Sequence, residues 1–175
     1  MKLKREALAH YLDTAWNKKV ADVAKAVFEI LGDEIEDMSV EMNADTSQIK
    51  NILGQTKTKD NGFTPSMSAD PWYADTESKL YPRMRDIVME QITGDERKTL
   101  LLEVIVEDLE ATTHTAYVRE VKVTPTSYGG GTEGVNIPFT VDFDGAWVKG
   151  TVTAESIKAG APVFTAATAG EPATN

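Results

Sequence analysis

Val135, Ile137, Phe139, Val141 and Phe143 are large and apolar, whereas Asn136, Pro138, Thr140, Asp142 and Asp144 between and after them are not. A repeat of two residues does not make a helical face. It lays the apolar side chains along one side of an extended strand, which then needs a sheet and a core to bury them. Pro138 has no N–H to give to a ladder, so the pattern predicts an edge strand or a bulge there. Asp144–Gly145 reads as the tip of a tight hairpin, with "AWVKGTVT" as the return strand.

Further strands follow from the same reasoning. In "DEIEDMSVEM" Met38, Val40 and Met42 share one face, and Asp37, Ser39 and Glu41 share the other, predicting a strand over 34–42 with one wet side. "SQIKNILGQT" reads as a short strand ending at Gly54, and Lys57, Lys59, Asp60, Asn61 and Gly62 as a polar turn. "TLLLEVIVEDLE" is apolar and branched without alternation, as in a strand buried on both faces. "AYVREVKVTPTS" alternates again, and "SYGGGTEG" is an inter-strand loop.

Helical spacing appears in two places. Leu80, Met84, Ile87, Val88 and Gln91 form a stripe; Pro82 restricts the start to near Leu80, and Gly94 suits the stop, giving one helix at about 80–92. Ala7, Leu8, Tyr11, Leu12, Ala15 and Trp16 also recur at helical spacing, and a helix is expected across part of 18–28. Residues 1–28 are therefore an N-terminal arm or helix, 1–154 a single domain, and the small-residue stretch 155–175 a flexible C-terminal arm. The fold class is α+β, mainly β: an antiparallel β-sandwich or barrel with one flanking helix.

The chemistry of catalysis is not evident. The 175 residues carry a net charge of −10 and no cysteine. That composition argues against gripping a nucleic-acid backbone and excludes disulfides and thiolate ligands. "MKLKREALAHYLD" has a positive start but no apolar run after it, and no stretch approaches the ~20 residues that cross a bilayer, so a cytoplasmic product without membrane insertion is expected. His10 and His114 lack companions at metal spacing. "DFDG" opens like a calcium loop but has no glutamate at the twelfth place, and "GGGTEG" is followed by no lysine. With 28 acids, chance carboxylate pairs are expected and identify nothing. No enzyme activity, cofactor or metal is expected.

The densest punctuation is "GFTPSMSADPWYADTESKLYPRM", residues 62–84. Residues before Pro65 and Pro71 are pushed to extended geometry. Phe63, Trp72, Tyr73 and Tyr81 are either a ligand platform or a packing corner. Because no polar constellation accompanies them, the corner of Phe63, Pro71, Trp72, Tyr73 and Tyr81 is favoured, packing on the core or on a second subunit.

"REALAHYLDT", "FEILGDEIEDMSVEMNADTSQIKNILGQT", that aromatic stretch and "GDERKTLLLEVIVED", in this order, resemble the major tail tube proteins of tailed phages and prophages of Gram-positive bacteria, over roughly residues 5–153. The resemblance implies a structural virion protein with a tail-tube β-sandwich or barrel. Hexameric rings would stack into a conduit for DNA ejection, assembled in the host cytoplasm. Partners would be further copies of itself, a tape measure, a tail terminator and baseplate or distal tail proteins, with DNA passing through unbound. Glu34, Asp37 and Glu41 are then candidate lumen-facing acids, since an acidic wall repels phosphates. The alternatives are the inner tube of a contractile tail-like particle, such as a bacteriocin or injection system, and a free β-sandwich binding module.

Overall fold

The computed structural model describes residues 2–168. Ten strands form in chain order: β1 (Leu8–Asp13), β2 (Phe28–Leu31), β3 (Val40–Glu41), β4 (Ala44–Lys50), β5 (Thr56–Phe63), β6 (Ser66–Ala69), β7 (Lys98–Ile105), β8 (Thr113–Pro125), β9 (Phe139–Thr153) and β10 (Phe164–Ala166). Eight make one antiparallel sheet curled as a half-barrel, in the order β2-β1-β7-β8-β9-β6-β3, with β10 added to β9. β4 and β5 pair only with each other. Two helices, α1 (Tyr81–Met89) and α2 (Ala154–Lys158), flank the sheet. The mainly-β, antiparallel class expected from the alternating runs is the class observed.

The sheet is buried on both faces, which explains where sequence periodicity misleads. On one face Leu12, Leu101, Val121, Val123, Phe139 and Val141 pack with Trp72, Leu80 and Met84. On the other, Tyr11, Leu100, Leu102, Val104, Val118 and Val152 pack under the 3-10 turn Val20–Lys25 and against Ile157 and Phe164. Tyr11 and Leu12 are neighbours in β1 that enter different cores, as Leu100 and Leu101 do in β7. Such strands lose the period of two. That is why residues 7–16, which mimic a helical stripe, are in fact mostly strand. The helix expected across part of 18–28 is a six-residue 3-10 helix, Val20–Lys25.

α1 falls within the predicted range. Pro82 sits in its first turn, where the missing N–H costs no hydrogen bond. Its stop differs from expectation: Gln91, at φ 54°, takes the left-handed position, and Gly94 instead opens a further 3-10 helix, Gly94–Arg97.

Asp144–Gly145 is not a hairpin tip. β9 runs through it, because Val121 pairs with Phe143 on one side of the dipeptide and Val118 with Val148 on the other. Both pairs hold β9 to β8, and the surplus residues leave as a bulge opposite Glu120. The Ala146 N–H donates to Glu120 Oε2 at 3.4 Å, and Asp144 lies 3.4 Å from both Lys98 and Lys122. Pro138 precedes β9 and is not an edge or bulge residue.

Three further expectations differ from the structure. The acidic segment 34–42 is mostly loop; only Val40 and Glu41 form strand, and the supposed turn at 57–62 lies inside β5. Lys57 and Lys59 sit opposite Ile49 and Ser47, so polarity here marks a strand wet on both sides. Of the expected C-terminal arm, residues 155–166 carry all but the first residue of α2 and the whole of β10, the latter paired with Gly150–Val152. Residues 169–175 lie outside the described residues.

Candidate assembly surface

The predicted corner divides in two. Trp72 is buried in the core, its ring edge-on to Phe139 at 5.8 Å. Its N–H donates to Asn136 Oδ1 at 2.9 Å, and its carbonyl accepts from the Ile137 N–H at 2.8 Å. Tyr73 bridges Asn136 and donates its hydroxyl to Glu133 at 2.9 Å. That hydrogen bond to the carboxylate is the main reason its phenol titrates above the usual value. Pro71 is half-buried, and Tyr81 packs half-buried on the same core. Phe63 is elsewhere: 57% exposed at the foot of β5, it lines a cleft of about 310 Å³ with Met42, Phe143 and Trp147.

Glu34, Asp37 and Glu41 are all exposed. Glu34 turns the chain at φ 60°. It joins Glu29, Asp33, Asp75 and Glu77 around a cleft of about 420 Å³ beside Trp72 and Tyr73. Among the described residues no group of side chains has metal-site geometry, and no helix is long and apolar enough to cross a membrane.

Two features were not anticipated. The first is the β4–β5 hairpin, in whose two strands every residue except Gly62 is exposed. Its turn is rigid: Asn51 Oδ1 accepts from the Leu53 N–H at 3.0 Å and the Gln55 N–H at 2.9 Å. Ile52 and Leu53, 103% and 77% exposed, are thereby held away from the body. The apolar "NILG" inside a polar strand pair was the available signal.

The second is a polar cluster on the sheet. His10 is 1% exposed, and its Nε2 lies 3.4 Å from Glu103 Oε1, near but outside hydrogen-bond geometry. Glu103 Oε2 meets Arg119 Nε at 2.5 Å. Burial pushes the Glu103 carboxyl up, but His10 and Arg119 outweigh it and hold it below the ordinary value. Arg119 in turn lies 5.4–5.6 Å from the rings of Tyr117, Phe143 and Trp147, a cation–π arrangement. Strand pairing joins these residues: His10 opposes Glu103, Glu103 opposes Tyr117, and Arg119 opposes Trp147.

The sequence matches no family model and no curated protein. The fold does have a solved counterpart, and it is a tail-tube-like fold. The tail of an empty GTA (gene transfer agent) particle, determined by helical refinement with C6 symmetry, superposes with a TM-score of 0.50. Identity is 13%, over 83% of this chain and 97% of that one.

Proposed function

We propose that this protein is the structural subunit of a phage-like tail tube, without enzymatic activity, closing into six-membered rings that stack around a channel for DNA. The observation that carries the reading is the rigid β4–β5 hairpin, with Ile49, Ile52 and Leu53 exposed on a scaffold of tail-tube-like fold. An isolated two-stranded hairpin with an apolar tip gains stability when another chain covers it. The six-fold symmetry described for the GTA tail supports rings of six. Tape-measure, terminator and distal tail proteins are the partners of this role, the virion tail is its site, and a Gram-positive host is the expectation carried by the sequence resemblance.

The channel wall is acidic in this reading. Glu34, Asp37 and Glu41 are free to face it, and a wall of carboxylates repels phosphates and lets DNA pass. Electron microscopy of the concentrated protein tests the proposal. Rings and tubes support it, and a monomer that stays monomeric at millimolar concentration contradicts it. A reconstruction with all three acids on the outer wall contradicts the channel assignment alone.

A further inference from the structure

The β7–β8 hairpin has unlike ends. At its turn, residues 107–110 are all exposed, with Leu109 at 86%. The turn is braced: the Glu110 N–H donates to Asp108 Oδ1 at 3.0 Å, and the Ala111 N–H to the Asp108 carbonyl at 3.3 Å. Glu107, Asp108 and Glu110 meet no lysine or arginine among the described residues. Of the large apolar side chains exposed on these residues, Leu109 alone has a carboxylate on each side of it in the chain.

At the other end, just before β7 and just after β8, lies a cleft of about 310 Å³. Ile87, Val88, Ile92, Pro125 and Tyr128 give it an apolar wall, and Arg97 is the one charged residue lining it. Arg83, Arg85 and Arg119 each hold a carboxylate, and Arg5 donates to backbone carbonyls. Arg97 meets no carboxylate among the described residues. One terminal nitrogen donates to Thr124 Oγ1 at 3.0 Å, and its Nε is buried without a partner. The acids beside it in the chain are taken, Asp95 by Lys98 and Glu96 by Lys18 and Arg83. A guanidinium shielded from water in an apolar wall favours an arriving carboxylate.

We propose that the Asp108–Glu110 turn of one copy seats in the Arg97 cleft of a second copy, with Leu109 on the apolar wall and a flanking carboxylate on the guanidinium. The turn is the one exposed apolar group whose charges suit that cleft: Ile52 and Leu53 stand near Lys50, and Leu3 stands between Lys2 and Lys4. A chain cannot fill its own cleft. The eight ladder pairs from Lys98–Lys122 to Ile105–Thr115 separate the two ends, by about 26 Å at the usual rise per residue. The contact joins two different patches, so it runs head to tail and repeats, as closing a ring or stacking rings requires. It rests on the self-assembly reading and adds to the β4–β5 hairpin a second contact that can be tested separately.

Charge exchange between copies tests it. Arg97→Glu and Glu110→Arg, each alone, are expected to raise the concentration for half-assembly at least about tenfold through like-charge contact. An equimolar mixture of the two is expected to assemble near the wild-type concentration, because the turn of each then meets the opposite charge in the cleft of the other. A residue needed only for folding gives no such rescue. Leu109→Asp, at a site too exposed to affect folding, is expected to block assembly. Should Arg97→Glu fail to fold, Leu109→Asp still decides. Normal tubes from Leu109→Asp, or a mixture that assembles no better than its components, overturn this inference alone, whereas a wild type that does not assemble overturns the tube reading with it.

Discussion

The Trp72 ring meets Phe139 edge-on, 5.8 Å apart and inclined by 70°, and joins the crossover before α1 to the first residue of β9. The contact anchors the aromatic stretch to the longest strand of the sheet. Trp72 is 9% exposed, so truncation removes a large buried ring and leaves a cavity. Trp72→Ala is expected to cost about 3–5 kcal/mol and lower the melting temperature by roughly 10 °C. Calorimetry of the unassembled protein checks it. A loss under ~1 kcal/mol would mean that the corner is held by its backbone bonds to Asn136 and Ile137 instead.

Ile52 and Leu53 behave in the opposite way. They touch nothing that stabilises the monomer, so Ile52→Asp with Leu53→Asp is expected to leave unfolding within about 0.5 kcal/mol of the wild type. Assembly, followed by sedimentation or light scattering, should be lost. A double variant that forms normal tubes removes the hairpin from the interface.

The contrast between these two sites shows what a one-dimensional pattern holds. α1 is legible because it presents one stripe to one core, and β8 because its burial alternates on either side of the shift at Glu120, with Ala116 and Val118 entering one core and Val121 and Val123 the other. β1 is not, because Tyr11 and Leu12 enter different cores and their spacing mimics a helix. β5 is not, because a strand wet on both faces carries the lysines and Asn-Gly of a turn. Asp144–Gly145 carries real turn chemistry, but the pairs on either side outweigh it and convert the turn into a bulge. The corner residues were legible as large side chains, though nothing local separates Phe63 from Trp72. The His10–Glu103–Arg119 cluster appears only once β1, β7 and β8 are placed side by side.

The bulge itself is testable. At φ 142° Gly145 occupies a conformation that other residues rarely adopt, and a Cβ there would fall 2.3 Å from Glu120 Oε2 and 2.9 Å from Glu120 Cβ. Gly145→Ala must displace the carboxylate that holds the Ala146 N–H. A loss of about 1–3 kcal/mol is expected from strain at such a position. Gly131→Ala, where an added Cβ has no neighbour within 4 Å and φ needs no glycine, is the control and should be near neutral. Equal effects from the two would show that the bulge is free to relax.

Glu103 sets an acid limit on stability. Its burial favours the neutral acid, but His10 and Arg119 hold the carboxyl below the ordinary value. A folded value below the unfolded one means that the ionised pair stabilises the fold above the unfolded value, and that the contribution fades as pH falls through the folded value. Glu103→Gln is therefore expected to be less stable at pH 7, by about 1–3 kcal/mol, since Arg119 loses a charged partner at a site only 12% exposed. The difference between wild type and variant should begin to shrink below about pH 4.5, the ordinary carboxylate range, and vanish only below the lower folded value. The readout is their difference, from urea unfolding between pH 7 and pH 3. Glu96 and Asp144 also titrate low but are common to both proteins and cancel. A difference that stays constant with pH would mean that Glu103 acts through packing and not through its charge.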